Sequence, residues 1–130
     1  MKVLPALSVI VLILLAAACQ KEDAPQVDLS APVIDIVEPL NEQQLTSGQQ
    51  VRLLVRIEEN QELHDYSVIV RNEDRSFNQT LAGGHLHTTA HLIDQYFDLP
   101  ELTQQTYTIT VKAADHNGNF AAEQVVLYVP

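Results

Sequence analysis

The strongest constraint on the fold is a two-residue alternation of apolar and polar side chains. In residues 106–113, Tyr107, Ile109, Val111 and Ala113 alternate with three threonines and a lysine. This pattern is typical of a β-strand, in which successive side chains lie on opposite faces. No window of residues 33–130 shows a sustained 3.6-residue period, so the pattern favours strands over helices throughout.

Other segments show the same strand-like character, namely residues 33–37, 50–57, 66–71, 92–99 and 125–129. A weaker segment, residues 76–81, is predicted to be an edge strand, and the sequence between Glu73 and His91 allows other strand assignments. Seven short strands separated by turn residues predict an all-β, seven-stranded antiparallel sandwich over residues 33–130. Its expected core consists of Val51, Leu53, Val55, Tyr66, Val68, Val70, Ile109, Val111, Val125 and Leu127.

The first eighteen residues have the features of an export signal. Lys2 is followed by an apolar run, Val9–Leu15, and then by three alanines. A basic start, an apolar stretch and small residues are typical of a secretory signal peptide. The apolar run is short for a bilayer span, which needs about 20 residues. Residues 1–18 are therefore predicted to be a signal peptide that is cleaved before Cys19.

The only cysteine of the chain stands directly after this segment. The run Leu15-Ala16-Ala17-Ala18-Cys19 resembles a bacterial lipobox, with Ala16 where leucine is commonest. The resemblance implies that Cys19 becomes a lipidated N-terminus and that this lipid anchors the protein to the membrane. The alternative is an ordinary signal followed by a chance cysteine.

Residues 19–32 are predicted to be a flexible tether, since they contain two prolines and no apolar period. Within this tether, Lys21-Glu22-Asp23 resembles the signal that sends lipoproteins of Bacteroidetes-type bacteria to the cell surface, and Gln20 is not the aspartate of an inner-membrane retention signal. This implies an outer-membrane, surface-exposed protein. The alternative is that these charges only keep the tether solvated.

Composition excludes several function classes. The chain has 7 Lys+Arg against 17 Asp+Glu, a net charge of −10, which argues against nucleic-acid binding. One cysteine allows neither an internal disulfide nor a site with two thiolates. The sequence contains no glycine-rich phosphate loop, no nucleophile-elbow motif and no HExxH zinc motif. We therefore do not expect an enzyme.

Three parts of the chain resemble bacterial immunoglobulin-like and cadherin-like domains of surface proteins. They are Ile36–Pro39 followed by Ser47–Val51, then Leu63–Val68, and finally Tyr107–Asp115 followed by Gly118-Asn119. The resemblance covers residues 33–130 and is greatest to single-domain surface lipoproteins of Bacteroidetes-type bacteria. It implies an immunoglobulin-like sandwich that serves as a binding or adhesion module for a protein or glycan. Because such sandwiches host many activities, the fold does not by itself select a function.

Four of the five histidines are expected to meet at one end of such a sandwich. In the immunoglobulin-like topology the B–C, D–E and F–G loops gather at one pole. His64 follows the predicted B–C loop at 58–63, and His85 and His87 lie in or just after a D–E connection at 82–84. His116 lies in the F–G turn at 115–118.

This spacing suggests a transition-metal site. His85 and His87, two residues apart, would share one strand face at roughly 6.6 Å, from which both could bind one ion at Zn–N distances of about 2.0–2.1 Å. His64 and His116 could complete the site, with Asp65 and Asp115 as ligands or as acceptors that orient the rings. Such donors suit Zn, Cu or Ni. The alternative is that these histidines are ordinary polar loop residues.

Two further features of the sequence border this pole. Residues 115–119, Asp-His-Asn-Gly-Asn, are similar to oxygen-rich calcium loops but equally suit a tight hairpin turn. An EF-type loop would place a glutamate at position 126, where Val126 stands. The acidic run at 58–62 reads as a solvated loop that attracts cations. His91 is too far along the chain from His85 to join the group.

Overall fold

The computed structural model describes residues 25–130. The predicted signal peptide, Cys19 and the first part of the predicted tether lie outside the described residues. Strands make up 61% of the described part of the chain. Within that part we find no helix that is long and apolar enough to cross a membrane.

The described residues form eight strands in two sheets. One sheet has the order β1-β3-β6 and the other β2-β8-β7-β4-β5. All pairings are antiparallel except that of β2 with β8, which is parallel. The strands are β1 (Val33–Glu38), β2 (Gln43–Gln44), β3 (Gln50–Glu58), β4 (Leu63–Asn72), β5 (Asn78–His85), β6 (Ala90–Asp98), β7 (Gln105–Asp115) and β8 (Phe120–Val129).

This arrangement confirms the prediction of an all-β fold. The strand count differs by one because the two residues of β2 join the edge of the larger sheet beside β8. No alternation can be seen in a strand of two glutamines, so the sequence carries no signal for it.

The core lies between the sheets and follows the predicted alternation. The burial pattern of β3 places Val51, Leu53, Val55 and Ile57 inside. Each such side chain contributes about 1.5–3 kcal/mol when it leaves water. The predicted core residues are all buried except Tyr66, which is only half-buried and packs against the edge of the core.

Strand β5 differs from the sequence prediction. The edge strand was expected at 76–81 and a connection at 82–84, but β5 spans Asn78–His85 and includes both glycines. A Cβ at Gly83 would lie 3.1 Å from the carbonyl oxygen of Tyr66. Gly83 is therefore needed for the close approach of β5 to β4, and not for a turn. The true connection to β6 is residues 86–89.

Three loops lie together at one end of the domain, which we call the loop end: residues 59–62, 86–89 and 116–119. Backbone hydrogen bonds hold them side by side, so their relative positions are set by the main chain. These bonds run from Glu59 N to Thr89 O (2.8 Å), from Leu63 N to Thr88 O (2.9 Å), from Leu86 N to His64 O (2.7 Å) and from His116 N to Glu62 O (3.4 Å).

Candidate metal centre

The loop end brings together the four histidines that the sequence singled out. The ring centroids of His64 and His116 are 4.4 Å apart, those of His64 and His85 are 5.3 Å apart, and those of His87 and His116 are 5.2 Å apart. Nδ1 of His64 lies 3.2 Å from Nε2 of His116. Two nitrogens bound to one tetrahedral ion at about 2.0–2.1 Å would be roughly 3.3 Å apart, so this pair already has a ligand spacing.

A bulge in β4 places two consecutive side chains in the cluster. Leu63 pairs with Asp115 of β7 and Asp65 pairs with Ala114, which leaves His64 as the extra residue. Neighbouring residues of a regular strand point to opposite faces, and a bulge changes that direction. Nε2 of His64 accordingly lies 3.4 Å from Oδ2 of Asp65. Asp65 is also paired directly with His85 across the β4–β5 ladder.

The donors divide into two groups of three. His64, Asp65 and His85 form one group, and Glu62, His87 and His116 form the other. Within each group the donor atoms lie within 4.8 Å of one another. The two groups touch through the contact between Nδ1 of His64 and Nε2 of His116, so the group of Glu62, His87 and His116 can take His64 as a fourth donor.

Carboxylates orient the two outer rings of the cluster. Nδ1 of His85 lies 2.5 Å from Oδ1 of Asp65, and Nδ1 of His87 lies 2.8 Å from Oε1 of Glu62. A metal ion can replace the proton shared by ring nitrogen and carboxylate, and both atoms then become ligands. The side chains of His85 and His87 are 73% and 72% exposed, so both contacts are accessible from solvent.

The roles of His85 and His87 differ from the expected ones. Strand β5 ends at His85, and His87 lies in the following loop. The two rings therefore do not share a strand face but belong to different donor groups. Glu62 was not singled out by the sequence, where its only signal was membership of the acidic run at 58–62.

Asp115 does not join the histidine cluster. It is 2% exposed, and its Oδ1 accepts hydrogen bonds from the backbone N–H groups of Asn117 and Asn119. Desolvation acts to raise the pKa of Asp115, but hydrogen bonds from Asn119 and from neighbouring backbone amides lower it below the usual carboxyl value. These bonds shape the β7–β8 turn, in which Gly118 has a φ of 85°.

His91 lies apart from the cluster, as its spacing predicted. It stands on β6, where its ring centroid is 4.5 Å from that of Tyr66. His91 is thus a histidine that belongs to neither donor group and can serve as a control.

Comparison with known proteins identifies the family of the chain. No curated protein shows significant similarity to it. Among solved structures, the crystal structure of Spo0M, sporulation control protein, from Bacillus subtilis is similar with a TM-score of 0.45 and 11% identity, covering 78% of this chain and 51% of that chain. The chain therefore spans about half the length of that protein. The family described as "Domain of unknown function (DUF4625)" matches residues 17–129, and the chain belongs to it.

Proposed function

We propose that the loop end binds a divalent transition-metal ion, Zn, Cu or Ni, through the histidine cluster. The observation that carries the proposal is the meeting of two three-donor groups at the 3.2 Å contact between His64 and His116. Imidazole and carboxylate donors are the usual ligands of these ions.

One ion should bind at a time. Adding His64 to the group of Glu62, His87 and His116 makes three imidazoles and one carboxylate, which is the donor number of a tetrahedral ion. Because His64 also belongs to the other group, an ion bound in this way leaves that group with only Asp65 and His85.

The exposure of the cluster supports reversible capture rather than a structural role. The side chains of His64, Asp65 and Glu62 are 41%, 48% and 47% exposed, so an ion bound among them remains in contact with solvent and can exchange. The net charge of −10 also attracts cations toward the domain.

The test is calorimetric titration of the full chain and its variants with ZnCl2, CuSO4 and NiCl2. The His85→Ala/His87→Ala double variant removes a ring from each donor group and should weaken the binding of at least one of these metals by about a hundredfold or more. Each single variant leaves one complete group and should lose about tenfold or less. His91→Ala is the matched control and should bind like the parent.

Two further measurements complete the test. Bound metal should raise the melting temperature of the parent, since the unfolded chain cannot hold the same donors together. The double variant should lose this shift but keep its metal-free melting temperature, because both rings are exposed. A double variant that binds all three metals as tightly as the parent would contradict the proposal.

We propose in addition that the domain is an immunoglobulin-like module that is lipidated at Cys19 and displayed on the outer membrane. The strand order β1-β3-β6 against β2-β8-β7-β4-β5 supports the immunoglobulin-like arrangement. The lipobox-like run that ends at Cys19 supports the anchor. Cys19→Ser should abolish incorporation of labelled lipid, and unchanged labelling would refute the anchor.

A second candidate function is adhesion to a protein or glycan. A shallow groove of about 330 Å³ beside the cluster is lined by Tyr66, Lys112 and Phe120, among others. Phe120 is 62% exposed, and exposed aromatic side chains commonly anchor ligands. Screening on glycan and protein arrays should find a ligand whose binding is lost in Phe120→Ala. Leu92→Ala, at a similarly exposed apolar residue elsewhere on the domain, should still bind it. Equal binding by both variants would argue against this groove.

A further inference from the structure

A second, chemically different group of side chains lies beneath the surface of the loop end. Asp28, Glu59 and Asp115 each offer one carboxylate oxygen, and these three oxygens lie within 4.8 Å of one another. All three residues are buried, with exposures of 7%, 8% and 2%. They come from separate parts of the chain: the segment before β1, the residue after β3 and the last residue of β7.

This group has no partner of opposite charge among the ion pairs of the described residues. A buried charge without a partner is strongly unfavourable, and three like charges at this spacing also repel one another. A cation among the carboxylates would balance these charges.

Two of the carboxylates keep an oxygen without a partner. Oδ2 of Asp28 and Oε2 of Glu59 are buried, and among the described residues neither finds a hydrogen-bond donor. Their other oxygens are bonded: Oδ1 of Asp28 accepts from Asn60 Nδ2 at 3.1 Å, and Oε1 of Glu59 accepts from Asn60 N at 2.7 Å. Asn60 thus holds both carboxylates in place while one oxygen of each remains available.

The side-chain amide of Asn119 forms hydrogen bonds to two residues of the carboxylate group. Nδ2 of Asn119 donates to the carbonyl oxygen of Asp28 at 2.9 Å and to Oδ2 of Asp115 at 2.7 Å. This amide links the segment before β1 to the β7–β8 turn. The donors are therefore positioned by the fold before any ion arrives, which lowers the entropic penalty of binding.

The donor chemistry selects the kind of cation. All the available donors are oxygens, which hard cations prefer to Zn or Cu. Calcium takes several carboxylate oxygens from the protein in a flexible geometry. Magnesium usually keeps several of its waters and is rarely held in a cage made of protein ligands alone. Three carboxylates that are buried together therefore suit calcium better.

We propose that a calcium ion binds between Asp28, Glu59 and Asp115 and fastens the segment before β1 to the loop end. Asp28 belongs to the segment that the sequence assigned to a flexible tether, yet its side chain is buried against the domain. The bound ion would therefore set the orientation of the domain relative to the chain that precedes it.

The test compares melting temperatures of the full chain in EDTA and in CaCl2. Calcium should raise the melting temperature of the parent by several degrees. Asp28→Asn and Glu59→Gln preserve shape but remove a ligand charge, and each should lose most of this rise and bind calcium at least tenfold more weakly by calorimetry. In EDTA both variants should be at least as stable as the parent, because each removes an unpaired buried charge.

Three controls make the outcome decisive. Glu58→Gln removes the same charge from the exposed neighbouring residue and should keep the full calcium response. The His85→Ala/His87→Ala variant should also keep it, which separates this site from the histidine cluster. Hydrogen exchange at Ser30, whose N–H donates to Oδ1 of Asp28 at 3.0 Å, should slow in calcium.

Several results would overturn the proposal. One is that calcium fails to raise the melting temperature of the parent, and another is that it raises those of Asp28→Asn and Glu59→Gln by as much as that of the parent. A third is that magnesium at the same concentration raises the melting temperature of the parent as much as calcium does, which would reject calcium as the ion.

Discussion

The histidine cluster and the buried carboxylate group share one end of the domain but differ in almost every physical respect. The imidazoles of the first are exposed, apart from the half-buried ring of His64, and have ring or carboxylate neighbours. The carboxylates of the second are buried, and two of them keep unpartnered oxygens. Asp115 and His116 are consecutive residues, yet Asp115 belongs to the buried group and His116 to the exposed one.

This difference shows how a β-hairpin can separate two kinds of ligand. At the end of β7 the side chain of Asp115 still points into the domain, whereas the turn that follows presents His116 to solvent. A single step along the chain thus separates a buried carboxylate ligand, Asp115, from an exposed imidazole ligand, His116. We expect the exposed cluster to exchange its ion readily and the buried group to act as a structural site.

The largest expected effect comes from breaking the strand that both groups share. Val111 is fully buried on β7 and pairs with Val68 of β4. Val111→Asp places an unpaired charge in the core and should lower the free energy of unfolding by at least about 3 kcal/mol. Urea denaturation measures this loss, and both metal responses should weaken with it.

The control for this variant is the next residue. Lys112 is exposed on the same strand, so Lys112→Asp should change the free energy of unfolding by no more than about 0.5 kcal/mol. A tolerated Val111→Asp would mean that the inward face of β7 is wrongly assigned.

An intermediate effect should appear when the two sites are compared across pH. Metal binding to imidazole releases protons, so zinc affinity should fall at least tenfold as the pH drops from 7.5 to 5.5. Calcium affinity should change less than about threefold over this range. Hydrogen bonds lower the pKa of Asp115 below the usual 3.8, so that carboxylate stays charged until the solution is far more acidic.

Calorimetry at the two pH values checks this comparison. The opposite ranking, with calcium affinity more sensitive than zinc affinity, would show that the metals do not divide between the two groups as proposed.

The smallest effect is expected at a salt bridge remote from both groups. Nε and Nη2 of Arg52 each lie 2.9 Å from an oxygen of Asp94, near the start of β3 and roughly 23 Å along that strand from Glu59. The hydrogen bond from Arg52 lowers the pKa of Asp94 below 3.8. The stabilisation is therefore present above about pH 3.8 and is lost as the pH falls through the lowered pKa.

Arg52→Gln tests this assignment. It should reduce the melting temperature slightly at pH 7, because both side chains are partly exposed and solvent screens the pair. The difference from the parent should disappear near pH 2, and the zinc and calcium responses should be unchanged. A large loss at pH 7, or a weakened calcium response, would mean that this sheet supports the loop end.

The amino-acid sequence by itself determined the all-β class, most of the strands and nearly all of the core. Alternation in β3 and β7 is a local property, so it can be read from one strand without knowledge of its neighbours. The sequence also pointed to His64, His85, His87 and His116 as one cluster, but it expected all four near loops, whereas His64 and His85 lie within β4 and β5.

The tertiary structure alone decided how these residues are grouped. The bulge at His64, the course of β5 through Gly83 and the pairing of Asp65 with His85 all depend on register against a partner strand. The position of Asp28 beside Glu59 and Asp115 depends on contacts between segments that are far apart in the chain. Periodicity along one strand carries no information about such contacts, because they are selected by packing and hydrogen bonding across the whole domain.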